Sequence, residues 1–441
     1  MKTLVRFLVV GSFVLAASGT AHAQKSWNVT TGSWSGTSNW TPAGVPTTTD
    51  NVVINNGGTA TLDTSPAILS LSIASGNVLQ KDSSTSARTL TLSTTTGLVT
   101  NSGTIRYTQG SSNFTIMSGS SGWNNSGLIT AAVTGHEMRI AVNVSTASFI
   151  NTGTIQADGG LITQHNLGGW NMTNTGGLLR ATNSGTIRFS MGGTITGGNV
   201  TVDAGSAFQH ARTNAVTDMT NATVTNAGRM YTEQTSNNAS MRINFLGTTN
   251  LTNTGTLEYL TSGAVNPTAS GSAASTATIT NQSSGLIRVA INNTSGTATS
   301  FFAINTPNFT NQGRIEVFSA AGLTTGSSQL RSGTNVSNAG SILVDGPISS
   351  IEMGARTFTQ TAGSLSLVNG GQMTAGSVLI NSGTLLGTDT VNAPVTMAGV
   401  LAPGSGGVGK LSVTQGLAMG TGGSYSWEIN NWTGSAGTAY D

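Results

Sequence analysis

Apolar and polar residues alternate in short runs along this chain, as in Ile105-Arg106-Tyr107, Leu257-Glu258-Tyr259 and Ile315-Glu316-Val317. A period of two puts one set of side chains on one face, so each run predicts a strand with a buried side. The runs are punctuated by a repeat: Asn, a small or polar residue, Gly, any residue, then Ile, Leu or Met occurs ten times between residues 101 and 385. An apolar residue stands two positions before most of these Asn, including Val99, Trp123, Phe149, Met172 and Leu251. Both sides of the punctuation therefore face a core, and the unit reads as strand, sharp bend, strand. Asn tolerates the left-handed backbone region and Gly enters it freely, which suits the pair to a bend.

Most copies lie 23 to 27 residues apart. A unit of that length cannot bury its own apolar face and needs neighbours above and below, which predicts an all-β chain wound as a single right-handed parallel β-helix of roughly 14 to 16 coils. With strands about 4.8 Å apart the rod would be about 75 Å long. Stacking also gives the Asn a task, because each side-chain amide can donate to the amide one coil away. The expected ladder comprises Asn101, Asn125, Asn151, Asn174, Asn226, Asn253, Asn281, Asn311, Asn338 and Asn381. Asn199 falls between Asn174 and Asn226 as a weaker copy, Thr361-Ala362-Gly363 is a degenerate one, and Asn183, nine residues after Asn174, reads as a second corner.

Composition narrows the class. Of 441 residues only 32 are charged and 59 are Gly, which disfavours charged amphipathic helices, while the regular Ile, Leu, Val and Phe disfavour disorder. The formal charge of +2 includes Lys2 and Arg6 in the leader, leaving 15 basic against 15 acidic residues beyond it. Without clustered Lys and Arg, nucleic acid is not an expected partner. That leader has a basic start, an apolar run from Phe7 to Ala17 and the small-residue pair Ala21 and Ala23, so residues 1–23 read as a signal peptide and the chain as exported, extracellular or on the outer cell surface. The absence of Cys leaves rigidity to a hydrogen-bonded ladder rather than to disulfides.

At these repeats the chain resembles the right-handed parallel β-helix of bacterial surface proteins, in particular autotransporter passenger domains and related secreted proteins with C-terminal sorting anchors. Trp27, Gly32-Ser33-Trp34, Ser38-Asn39-Trp40 and Asp50-Asn51-Val52-Val53-Ile54 look like the opening of such proteins, with aromatics covering the end of the ladder. Leu401-Ala402-Pro403-Gly404-Ser405, Gly409-Lys410-Leu411-Ser412-Val413, Tyr425-Ser426-Trp427-Glu428-Ile429 and Tyr440-Asp441 look like the closing segment. The resemblance implies capping coils over 24–75, a repeat body over 76–395 and a closing segment over 396–441 that is expected to be incomplete, with any membrane attachment made through a segment outside this chain.

Chemistry-bearing clusters are sparse. Polysaccharide lyases and hydrolases built on this fold use grouped carboxylates; here Asp63, Asp158, Glu233, Glu258, Glu352 and the other acids are mostly solitary, and Glu258 is expected to be exposed. His136 and Glu137 precede His165 by about one coil, so the two imidazoles are expected on neighbouring rungs, the best local guess at a catalytic site. The plainer reading, polar loop residues, is preferred, and no cofactor or metal is expected. Trp123 sits at a core position, whereas Trp170 is freer to stack on a sugar ring. Thr89 to Thr96 would form a hydroxyl array like that of ice-binding solenoids only if it recurred on successive coils; otherwise Thr is simply a good strand residue. The expectation is a non-enzymatic structural or adhesin-like rod that binds cell-surface or matrix components, carbohydrate included. The alternatives are a carbohydrate-active β-helix enzyme and a passive spacer for a further C-terminal domain.

Overall fold

The computed structural model describes residues 22–142, 147–166, 170–211, 213–236, 239–262, 267–292, 297–431, 433–435 and 438. The leader, save its last two residues, lies outside them, as do Trp432 and Tyr440-Asp441. Among the described residues 51 short strands coil into a parallel β-solenoid of about 16 turns. After the first turn, which gives two strands to the first sheet and one to the second, each turn contributes one strand to each of three sheets, which hold 18, 17 and 16 strands among the described residues. The first sheet starts at Gln24–Trp27, the second at Thr31–Ser33 and the third at Ala67–Ile68.

Alternation becomes an in-register core. In the second sheet Ile105, Ile129, Ile155, Leu179, Val200, Val224, Leu251 and Ile279 stack one above another. All are at most 2% exposed. Aromatics fill the wider coils: Trp123 stacks on Phe149 at 5.5 Å, and Tyr259 on Phe302 at 5.4 Å. The first coil closes on itself. Trp27 pairs antiparallel with Trp40, and Trp27, Trp34 and Trp40 meet edge to face at 4.9 and 4.8 Å, fully buried, so the aromatics of the opening segment form the core of the first coil.

The amide ladder exists, but it is two ladders at two corners. Asn101, Asn125 and Asn151 end strands of the first sheet and Asn174 stands just past one, the Nδ2 groups of the first three donating to the next Oδ1 at 2.7, 2.7 and 2.6 Å. Asn226, Asn253, Asn281, Asn311 and Asn338 end strands of the second sheet, at 2.7, 2.7, 2.6 and 2.6 Å, and Gln360 continues the series at 2.9 Å. Asn174 and Asn226 are 52 residues apart, which is two coils if the motif stays at one corner. It does not. Val202 occupies the rung below Asn226 and has no amide to offer, so Asn226 Oδ1 is left without a partner, as is Asn101 Oδ1 at the start of the other ladder. Asn199 instead begins a second-sheet strand beside Leu178 and is exposed. Asn381 is also outside the ladder: Ile380 stands in the rung above Gln360 and Asn381 turns to solvent. Asn183, in the left-handed region at φ 53°, marks the corner between the second and third sheets.

Asn253→Ala is accordingly expected to strand its neighbours and cost about 1–3 kcal/mol, whereas Asn381→Ala should leave the melting temperature nearly unchanged. Equal melting temperatures for the two variants would contradict the split ladder.

Candidate functional site

In a solenoid whose coils are in register, every outward residue belongs to a column running along the rod. The columns differ by face. On the third sheet Arg139, Thr163, Arg188, Gln209, Tyr231, Glu258, Arg288 and Glu316 succeed one another coil by coil. These groups largely satisfy each other. Arg288 bridges Glu258 at 3.2 Å and Glu316 at 3.4 Å, Arg314 meets Glu316 at 2.6 Å, and Arg229 both donates to Glu258 at 2.9 Å and lies over the Tyr231 ring at 3.8 Å. Burial holds the Tyr231 hydroxyl above its ordinary pKa, with the nearby Arg229 opposing.

Glu258 was expected to be exposed from its outward phase in the strand, but it is only 4% exposed, because arginines from the coils above and below close over it. Glu258→Ala should therefore cost about 1.5–3 kcal/mol, the scale of a charge-assisted hydrogen bond, in urea unfolding at low salt. An effect within a few tenths of zero would show the pairs to be surface ornaments.

The weak catalytic candidates do not converge. His165 pairs in register with Ala141, whereas His136 precedes Glu137, which pairs with Leu161. The two imidazoles thus sit on neighbouring coils but five residues apart along the strand, about 16 Å. Glu137 is engaged elsewhere, with Arg139 at 2.6 Å and Arg188 at 3.2 Å. The Trp170 backbone opens the strand Trp170–Thr173, and its side chain lies outside the described residues. Trp123 is fully buried. One shallow groove of about 620 Å³ brings Arg331 and Arg356 beside a single carboxylate, Glu352; another, of about 540 Å³, has Asp345 as its one carboxylate. Among the described residues no three His, Cys, Asp or Glu gather to hold a metal ion, and no helix is long and apolar enough to cross a membrane.

The second sheet has a different exterior. Thr201, Thr225, Thr252, Thr280, Thr310, Ser337 and Thr359 form one outward column through seven consecutive coils. Beside it, two residues earlier in the strands, run Asn199, Thr223, Asn250 and Thr278. Arg180 precedes the long column and Leu379 follows it, and no charged residue interrupts it. By contrast Thr89 is succeeded by Thr115 and then by Arg139, so the Thr-rich stretch first suspected does not extend along its own sheet. The sequence carried a signal for the longer array: the residue between the apolar position and the ladder Asn, in Val224-Thr225-Asn226, Leu251-Thr252-Asn253, Ile279-Thr280-Asn281 and Phe309-Thr310-Asn311.

No protein-family model, curated protein or solved structure matches this chain. The fold and its surface columns must carry the functional reading unaided.

Proposed function

We propose that this chain is an exported structural rod that works by display or adhesion, presenting its lateral faces to surfaces, glycans or other cells. The observation that supports this most is the segregation of outward chemistry into long columns, one face ion-paired and another a neutral hydroxyl array. Such an arrangement offers one recognition chemistry many times over, which suits multivalent attachment. Catalysis needs a single convergence of differently tuned groups, and the strongest suspects, His136, Glu137 and His165, are apart or ion-paired. As an exported protein it should begin at Gln24 after leader removal, which N-terminal sequencing of secreted material would check.

Replacing His136, Glu137 and His165 together with Ala should leave binding of the rod to cells or to a glycan panel within a few-fold of the parent. The enzymatic alternative expects the purified chain to depolymerise an acidic polysaccharide, read as new reducing ends or unsaturated products, and the triple variant to lose that activity. Cleavage lost in that way would replace the present reading. A passive spacer, by contrast, would bind nothing on its own and would tolerate charge reversal on any outward column.

A further inference from the structure

We propose that the neutral face of the second sheet, between Thr201 and Thr359, is a binding surface for crystalline water. The inference rests on the reading that the rod acts through its lateral faces, and it names the ligand of one of them. The column spans seven coils, hence about 29 Å, with hydroxyl-bearing residues repeating about every 4.8 Å along the rod and a second column about 7 Å to one side. A ligand matched to this face must itself be a flat two-dimensional lattice of hydrogen-bonding groups without net charge, on the same few-ångström scale. Ice is such a lattice.

Three features of the residues favour it over a liquid-water surface. Thr is β-branched and restricted at χ1, so the threonines of the column have few side-chain orientations to choose between and lose little freedom when a lattice selects one. The methyls order the water that cages them, while the hydroxyls supply anchoring hydrogen bonds. Charged groups would impose hydration shells of their own, and none stands in the column, whereas the third sheet carries its Arg and Glu in quantity.

The hydroxyls are also left available. The polar groups of the third sheet are engaged with each other, as Arg288 is in a hydrogen bond to Glu258 and an ion pair with Glu316. Thr201, Thr225, Thr252, Thr280, Thr310 and Thr359 have no hydrogen-bond partner for their side chains among the described residues, and each is exposed or half-buried. Directly behind them, from Thr225 onward, runs the Asn226 to Gln360 amide ladder, which locks the residue after each and so fixes the spacing of that part of the face. A crystalline polysaccharide is the other flat neutral lattice, but it is gripped by rows of exposed aromatics, and the column contains none.

The test uses the full-length exported chain in slowly grown ice. The chain should be drawn into the ice fraction and should inhibit recrystallisation. The double substitution Thr252→Arg with Thr280→Arg, at the centre of the face, should reduce both by at least about tenfold, the scale of losing a hot-spot contact. Thr130→Arg, on the same sheet but beyond Arg180, should reduce neither, and all three proteins should melt together. Exclusion of the parent chain from ice, adsorption to crystalline cellulose without ice, or full activity in the double variant would each overturn the inference. If the chain is excluded from ice yet binds cells or glycans, only the choice of ligand falls; if it binds nothing, the lateral-face reading falls with it.

Discussion

Gly255→Val is expected to break the rod at its centre, costing about 4 kcal/mol or more, a size of effect confined to a few mechanisms. A Cβ on Gly255 would lie 2.1 Å from the carbonyl oxygen of Gly228 and 2.6 Å from the carbonyl carbon of Ala227, both backbone atoms of the coil below. Neither can yield without pulling apart the hydrogen bond from the Gly255 amide to Asn226 O at 3.0 Å. The same collision recurs up the corner, at Gly313 with Gly285 O, Gly340 with Gly313 O and Gly363 with Gly340 O, each between 2.0 and 2.3 Å. Because the backbone of each coil is hydrogen-bonded to the coils directly above and below, a break there should divide one cooperative unfolding transition into two. Gly176→Ala supplies the contrast within the same motif: its φ is +81° but a Cβ meets nothing within 4 Å, so the substitution costs only the backbone strain of a left-handed alanine, about 1–2 kcal/mol. Calorimetry of the two variants decides the matter, and a Gly255→Val protein that melts in one transition near the parent temperature would refute the close-approach account.

That pair of glycines shows what the sequence did and did not disclose. Asn-x-Gly correctly marked the corners, but a left-handed bend was the wrong general reason. Gly255 lacks a positive φ and is required because another coil's backbone passes too close, whereas Gly176 fits the original explanation. Local dihedral preference can be read from one stretch of chain; proximity to a residue one coil away cannot. Glu258 makes the same point. Its phase in Leu257-Glu258-Tyr259 correctly turned it outward, yet Arg229 and Arg288, each about a coil distant, bury it.

The period of the coil was legible because apolar positions and Asn recur at nearly constant spacing. The migration of the motif from one corner to another was not, since the shorter coils between Asn174 and Asn226 and the shift of corner add up to an ordinary two-coil distance. For the surface columns, the Thr residues were present in the repeat itself, but only the register shows that Thr225, Thr252 and Thr280 lie side by side rather than merely recurring. The imidazoles of His136 and His165 failed in the opposite way: a separation of about one coil suggested contact, and the register placed them five positions apart.

Asp82→Ala should be nearly as damaging as the central glycine substitution, for an electrostatic reason. Lys81 is fully buried, with its ammonium donating to Ser84 O at 2.8 Å and to Asp82 O at 3.2 Å, and with Asp82 Oδ1 at 3.4 Å as its nearest carboxylate. The same carboxylate takes Arg88 Nη2 at 2.7 Å and the Ser84 hydroxyl at 2.9 Å. Removing it leaves a buried cation with carbonyl dipoles only, a change worth about 3–5 kcal/mol. Adding Lys81→Met to Asp82→Ala should restore much of the loss, because an apolar chain of similar length needs no counter-charge. The acid limb of stability tests the assignment further. Burial alone would raise the Asp82 pKa, but hydrogen bonds from Arg88 and Ser84 and the charges of Arg88 and Lys81 outweigh it and hold the carboxyl below its ordinary value. A carboxylate whose folded pKa is depressed stabilises the fold above its unfolded pKa, near 3.9, and that contribution is lost as the pH falls through the folded value. Urea unfolding of the parent at pH 7, 5 and 3 should therefore show stability dropping chiefly between the last two. In Asp82→Ala the drop should be smaller by the share this carboxylate supplied, and an equal fall in both proteins would mean that Asp82 is not the group linking acid to unfolding.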